Sequence, residues 1–209
     1  MNKKIIKAMY SYAVGKDDYR PLMQGIHFTE KECVASDTKV LVVYKDTKPE
    51  LAGKTILITG EPAADGKGKY PDWKRVMPKT AGDLINVNWK QVYTALKWYK
   101  KQPDFNEKDR VCIGGCHLAM ETLLNLLEVY NAAGDLFHIK ASVSDPCRPM
   151  LFETAQLKSI IMPCTPEEDK IDLQRQECES VVLSYENFIL TYATESSRPK
   201  EKVEEMAWL

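Results

Sequence analysis

The sequence predicts an α+β fold in which mostly antiparallel strands pack against helices, and three observations carry that expectation. Segments with helical and extended character alternate as helix, strands, helix, helix, strands, helix, an order that suits α+β better than a parallel doubly wound sheet. The unit of a helix followed by β-hairpins occurs twice, although no clean internal repeat is legible. At 209 residues and 44% hydrophobic, the chain has material for a real core.

The elements follow in order. "NKKIIKAMYSYAV" places Ile5, Ile6, Met9 and Tyr12 at helical spacing, with Lys3 and Lys7 on another face. "MQGIHF", "ECVAS" and "KVLVVYK" are short β-rich runs, and "KTILITG" is a fourth strand. A loop rich in glycine and lysine then leads into "KGKYPDWKRVMPK", which is too irregular for a helix and too proline-bounded for a central strand. Such a loop, holding two large aromatics, a valine and a methionine, packs against something or binds something. "NWKQVYTALKWYKK" predicts a second helix over 88–101, capped by Asn88 with Gln91 three residues on. Its apolar face is Trp89, Val92, Tyr93, Leu96 and Tyr99, and Lys90, Thr94, Lys97 and Lys101 lie opposite. "GGCHLAMETLLNLLEVYNAAG" predicts a third helix over 116–131, closed by Gly134, with Glu121, Asn125 and Glu128 on its polar face. "FHIKASVS", "PMLFETA" and "KSIIMPC" predict the remaining strands. Thr165-Pro166-Glu167-Glu168 opens a fourth, amphipathic helix over 166–194, and a charged, flexible tail over 195–209 ends in "MAWL".

Composition narrows the function. The 29 basic and 30 acidic side chains give a net charge of −1, so nucleic-acid binding needs a local basic face. The six cysteines have no regular spacing and no positive-then-apolar leader precedes them, which predicts a reduced, cytoplasmic setting. No apolar run approaches the ~20 residues of a membrane span, and no membrane association is expected. The glycines match neither a phosphate-binding loop nor a dinucleotide fingerprint. "VCIGGCH" offers Cys112, Cys116 and His117 but no second ligand pair at zinc-finger spacing, so no metal is expected. Cys116 and His117 are adjacent and do not face each other as a nucleophile and base must. With three histidines and no acid/base constellation, no cofactor is expected and a binding protein is favoured over an enzyme.

Three stretches in a fixed order resemble the bacterial sliding clamp, the beta subunit of DNA polymerase III. "KYPDWKRVMP" resembles that family's F-P-D-Y-x-R-V-[IL]-P loop, with Tyr70 for Phe and Trp73 for Tyr. "LMQGIHF" and "ECVASDTKVLVVYK" resemble its L-N-G-x-x-F strand followed by a strand, an A-T-D-G-H-R-L turn and another strand. "KSIIMPC" resembles its closing V-V-M-P strand. The resemblance implies a DNA-clamp-like α+β domain over 1–165, with a loop and helix insertion around 60–105. The C-terminal helix would be an addition to it.

What the resemblance implies for function is twofold. In the family, the loop, the turn and the closing strand meet in a pocket for short peptides of polymerases and other replication proteins. Carried over position by position, the pocket here is Met23, Ser36, Lys39, Leu41, Pro71, Arg75, Val76, Ile160 and Met162. Methionines and aliphatics suit an adaptable floor, and the Lys39 and Arg75 stems suit walls. Family helices also present basic side chains to duplex DNA without reading bases, a role that falls on Lys3, Lys7, Lys90, Lys97 and Lys101. The expected function is thus that of a non-enzymatic clamp-like protein, with a homo-oligomer as the expected assembly. It would bind DNA loosely, or peptide motifs of replication or mobile-element proteins, or both. The alternative is an adaptor or structural protein that keeps the clamp fold without DNA contact. The departures are plain. Family chains carry three such domains, and here there is material for about one and a half. The hairpins that follow the second helix in the family are not expected, and Thr38, Lys39 and Val40 replace the turn's glycine, histidine and arginine.

Overall fold

The computed structural model describes residues 1–164, except 18, 64–68, 80–81, 104 and 107–108. The expected fourth helix and tail lie outside the described residues. Three helices are present: α1 (Lys3–Tyr12), α2 (Trp89–Tyr99) and α3 (Met120–Ala133). Strands β1 (Gly25–Phe28), β2 (Cys33–Ser36), β3 (Val40–Tyr44) and β4 (Thr55–Leu57) precede α2, as does β5 (Asp83–Ile85). After α2 come β6 (Arg110–Ile113) and β7 (Cys116–Ala119), and after α3 come β8 (Lys140–Val143), β9 (Met150–Glu153) and β10 (Leu157–Ile161). Eight strands form one sheet in the order β4-β1-β2-β3-β10-β9-β8-β5, and β6 pairs with β7 apart from it. Every pairing is antiparallel. The fold is α+β, as the order of periods predicts.

The sheet is two matching halves. A helix is followed by a three-strand meander in each: α1 with β1, β2 and β3, then α3 with β8, β9 and β10. The last strands of the two meanders, β3 and β10, join the halves with Val42 opposite Ser159. β4 and β5 close the outer edges by pairing with β1 and β8.

Local chemistry explains where the helices begin and end. Asn2 accepts the Lys4 N–H at 2.9 Å to cap α1, and Asn88 accepts the Gln91 N–H at 3.2 Å to cap α2. Gly134 ends α3 at φ +77°, the left-handed conformation that costs glycine least. α3 sends Leu123, Leu126, Leu127 and Tyr130 inward, all fully buried. Each such side chain contributes roughly 1.5–3 kcal/mol of burial. They pack on the face of the sheet that carries Val40, Val42, Leu157 and Ile161. In α1 the inward side chains are Ile5, Ala8 and Met9, while Tyr12 is more than a third exposed, so Ala8 replaces Tyr12 in the expected stripe.

The opposite face of the sheet carries Val34, Leu41, Val43, Leu151 and Ile160, and Tyr70, Trp73 and Met77 of the proline-bounded loop cover it. That loop therefore packs beside the closing strand.

Three expectations need correction. The third helix starts at Met120, not at residue 116, because Cys116–Ala119 is a strand paired with Arg110–Ile113. Gly114 and Gly115 both hold positive φ, +56° and +79°, which makes a two-residue hairpin turn. A hairpin therefore does follow α2, where none was expected. The strand read in "FHIKASVS" begins only at Lys140, since Leu136–His138 is a short 3-10 turn.

Candidate functional site

A cleft of about 290 Å³ lies where the β2–β3 turn, the end of β10 and the proline-bounded loop meet. Its floor begins with the cross-strand pair Leu41 and Ile160. The turn is held rigidly. Asp37 Oδ1 accepts the N–H groups of Lys39 and Val40 at 2.8 and 2.7 Å. The Ser36 hydroxyl donates to the Val40 carbonyl at 2.8 Å and accepts the Thr38 N–H at 3.2 Å. Thr38 takes φ +81° at the tip. The Met162 N–H donates to the Lys39 carbonyl at 2.8 Å, which fastens the chain leaving β10 to this turn.

The loop side is built on aromatic anchors. Tyr70 stacks on His27 of β1 with ring centroids 4.6 Å apart and planes 9° off parallel. His27 Nδ1 lies 3.1 Å from the Thr55 hydroxyl of β4, so the edge of the sheet holds Tyr70 in place. Burial pushes the Tyr70 phenol well above its ordinary range and lowers the pKa of His27. Trp73 opens a 3-10 turn whose Val76 N–H returns to the Trp73 carbonyl at 3.3 Å.

Of the positions carried over from the resemblance, Met23, Ser36, Lys39, Leu41, Pro71, Val76, Ile160 and Met162 line this cleft. Arg75 does not line it. Its side chain is 84% exposed and pairs with Asp72 at 3.6 Å. Arg20, Thr38, Val40, Tyr70, Asp72 and Trp73 complete the lining and were not among the pocket positions carried over from the resemblance. Arg20 sits three residues before Met23, in front of the stretch that carries the resemblance, so its part of the basic wall comes from a segment no motif marked, beside the Lys39 that the turn motif did mark. Val76 and Met162 are half exposed at the rim. A second, polar groove of about 560 Å³ adjoins the cleft through Arg20, Met23, Thr38 and Lys39 and continues to Lys16, Asp17 and Glu121.

Of the five lysines read as a basic face, Lys3, Lys7, Lys90 and Lys97 lie on α1 and α2, both packed on α3, and Lys101 lies just beyond α2. Lys3 and Lys7 are exposed on α1, and Lys90 and Lys101 are exposed on or just beyond α2. The Lys90 ammonium stands 4.6 Å from the centre of the Phe137 ring. Lys97 donates to the Tyr93 hydroxyl at 2.9 Å and lies 3.3 Å from a Glu128 oxygen. The Tyr93 hydrogen bond and then the Glu128 charge raise its pKa. Lys100 pairs with Glu121 at 2.7 Å. Among the described residues, no group of three or more His, Cys, Asp or Glu is placed to hold a metal ion, and no helix is long and apolar enough to cross a membrane.

No protein-family model and no curated protein matches the sequence. Solved structures do match. The sliding clamp (DNA polymerase III subunit beta) of Bartonella birtlesii, bound to griselimycin, superposes with a TM-score of 0.60 at 14% identity, over 78% of this chain and 64% of that one. The beta sliding clamp of C. crescentus superposes with a TM-score of 0.59 at 12% identity, over 79% and 64%. The Helicobacter pylori beta clamp, bound to a DNA ligase peptide, gives 0.55 at 16%, over 78% and 62%. The chain has the bacterial sliding-clamp fold. It spans less than two thirds of the length of these clamps. The fold expectation drawn from three short motifs therefore holds at an identity too low for overall sequence similarity to carry it.

Proposed function

We propose that this clamp-fold chain is a peptide-binding protein rather than an enzyme, and that its cleft takes a short linear segment of a replication protein. The observation that carries the reading is the cleft itself. Separate stretches of sequence converge on an apolar floor of Leu41 and Ile160, rimmed by Met162 and walled by Lys39 and Arg20. Such a surface suits an extended peptide with aliphatic or aromatic anchors, and the basic walls suit its acidic groups or carbonyls. One structural neighbour holds a DNA ligase peptide.

A direct test is fluorescence anisotropy with a labelled copy of that DNA ligase peptide. Binding on the order of micromolar is expected. Val76→Glu and Met162→Glu place a charge at the half-exposed rim and should each weaken binding by about tenfold, or 1.4 kcal/mol. Arg20→Ala should weaken it severalfold, while Arg75→Ala should leave it nearly unchanged. Wild-type affinity in both rim variants would move the peptide elsewhere, and no binding by the wild type would end the reading for this peptide class.

Loose duplex binding through Lys3, Lys7, Lys90, Lys97 and Lys101, with self-association, is the wider form of this proposal. The ion pairs of Lys97 with Glu128 and Lys100 with Glu121 favour the other form, an adaptor with a clamp fold and no DNA contact.

A further inference from the structure

The Gly114-Gly115 hairpin carries a chemistry that the cleft does not use. Its tip packs against the turn between β8 and β9. A Cβ built on Gly115 would lie 3.3 Å from Pro146 Cγ, so the Pro146 ring packs directly on the hairpin tip. The residue after Gly115 is Cys116, and the residue after Pro146 is Cys147. The Cys116 thiol donates to the Asp145 carbonyl at 3.9 Å, a sulfur contact into that turn. The Asp145 carboxylate in turn accepts the Cys147 N–H at 2.7 Å, and the Asp145 carbonyl accepts the Arg148 N–H at 2.9 Å. Both cysteines are reduced. Cys116 is fully buried and Cys147 is exposed.

We propose that Cys116 and Cys147 are a redox pair whose disulfide fastens the tip of the β6–β7 hairpin to the β8–β9 turn. Among the described residues the hairpin shares no ladder hydrogen bonds with the main sheet, so this bond would be a covalent tie between the two. The exposed Cys147 acts first. Its thiolate attacks a low-molecular-weight disulfide such as oxidised glutathione, forms a mixed disulfide and releases one glutathione thiolate. Cys116 then attacks the Cys147 sulfur, the mixed bond breaks, and the second glutathione leaves carrying the Cys116 proton. Two protein thiols are oxidised and one glutathione disulfide is reduced. Burial, then the nearby Asp145 and Cys147, push the Cys116 thiol up to about 12, which leaves the first attack to Cys147. The geometric requirement is a Cα separation that a disulfide can span.

The test treats the whole chain with oxidised glutathione, alkylates the remaining thiols and maps the peptides. The expected result is a peptide pair joined through Cys116 and Cys147, released by dithiothreitol. Cys147→Ser should abolish it, Cys112→Ser should leave it intact, and Cys116→Ala should trap Cys147 as a glutathione adduct. Amide exchange over 110–119 should slow in the oxidised wild type. A wild type that stops at the Cys147 adduct, or that joins Cys147 to another cysteine or another chain, would overturn the pairing. Unchanged exchange in the joined form would overturn the fastening. The wild-type map and exchange data decide the matter even if the Cys116 variant does not fold.

Discussion

Thr38 holds φ +81° at the tip of the β2–β3 turn, in a region where a β-branched residue is strained. The resemblance put a glycine at this position, and the structure shows the backbone that a glycine would suit. Thr38→Gly is therefore expected to stabilise the fold by on the order of 1 kcal/mol, since relief of strain exceeds the added freedom of the unfolded chain. Urea unfolding would register this as a higher midpoint at unchanged slope. A lower midpoint would mean that the Thr38 side chain makes contacts worth more than its strain. His27 gives a prediction of pH dependence. Burial lowers its pKa, so between the folded value and the unfolded value of about 6.5 the unfolded chain binds more protons. Its contribution to stability is complete above about 6.5 and declines as the pH falls toward the folded pKa. His117 shifts the same way, through burial and then the charge of Arg110. Stability should thus drop between about pH 7 and 5, and His27→Gln should reduce that drop. An identical pH profile for the variant would remove His27 from the account. Arg75 shows the limit of reading positions one at a time. Its alignment with the motif was legible, but its direction was set by Asp72 three residues earlier.

At the scale of elements, Tyr130 ties α3 to the sheet through buried polar contacts. The Tyr130 hydroxyl donates to the Phe152 carbonyl at 3.1 Å and shares a 2.7 Å hydrogen bond with the Ser159 hydroxyl. Both side chains are fully buried, and Ser159 sits in the strand that joins the two halves. Tyr130→Phe leaves the Ser159 hydroxyl without this partner and is expected to cost about 1–3 kcal/mol. The double variant Tyr130→Phe with Ser159→Ala should recover part of that loss, and thermal unfolding of the four proteins would measure the coupling. Additive losses would deny it. The same scale shows why one element was misread. From Cys116 through Leu127 no glycine or proline interrupts the chain, so a helical reading absorbed Cys116–Ala119. The signal that competes with it was the Gly-Gly pair between two short β-prone runs, a hairpin pattern. β5 was missed because three residues give no measurable alternation, and it owes its existence to pairing with β8.

Across the whole molecule, the two halves were partly legible as a helix followed by hairpins, twice. Their union was not, because β3 and β10 pair across more than a hundred residues and nothing local marks that register. The proline-bounded loop was legible as a packing segment because its aromatics had to be covered. Its partner face could be named only through the resemblance. The arrangement of charge also belongs to this scale. α1 and α2 flank α3, so the lysines on the outer pair stand on either side of the carboxylates Glu121 and Glu128. Lys97 and Lys100 are spent on those carboxylates, which leaves Lys3, Lys7, Lys90 and Lys101 to meet a duplex. Four phosphate contacts would give a log–log salt slope of about −3.6, at about 0.9 for each. Titration of a labelled duplex at several salt concentrations should give a slope no steeper than this, and changing the four lysines to glutamate should abolish the binding. The same variant should bind the ligase peptide as the wild type does, because none of the four lines the cleft. Duplex affinity that survives the four changes would place the DNA on another face. No duplex affinity in the wild type at low salt would leave the adaptor form standing, with the peptide cleft as its working surface.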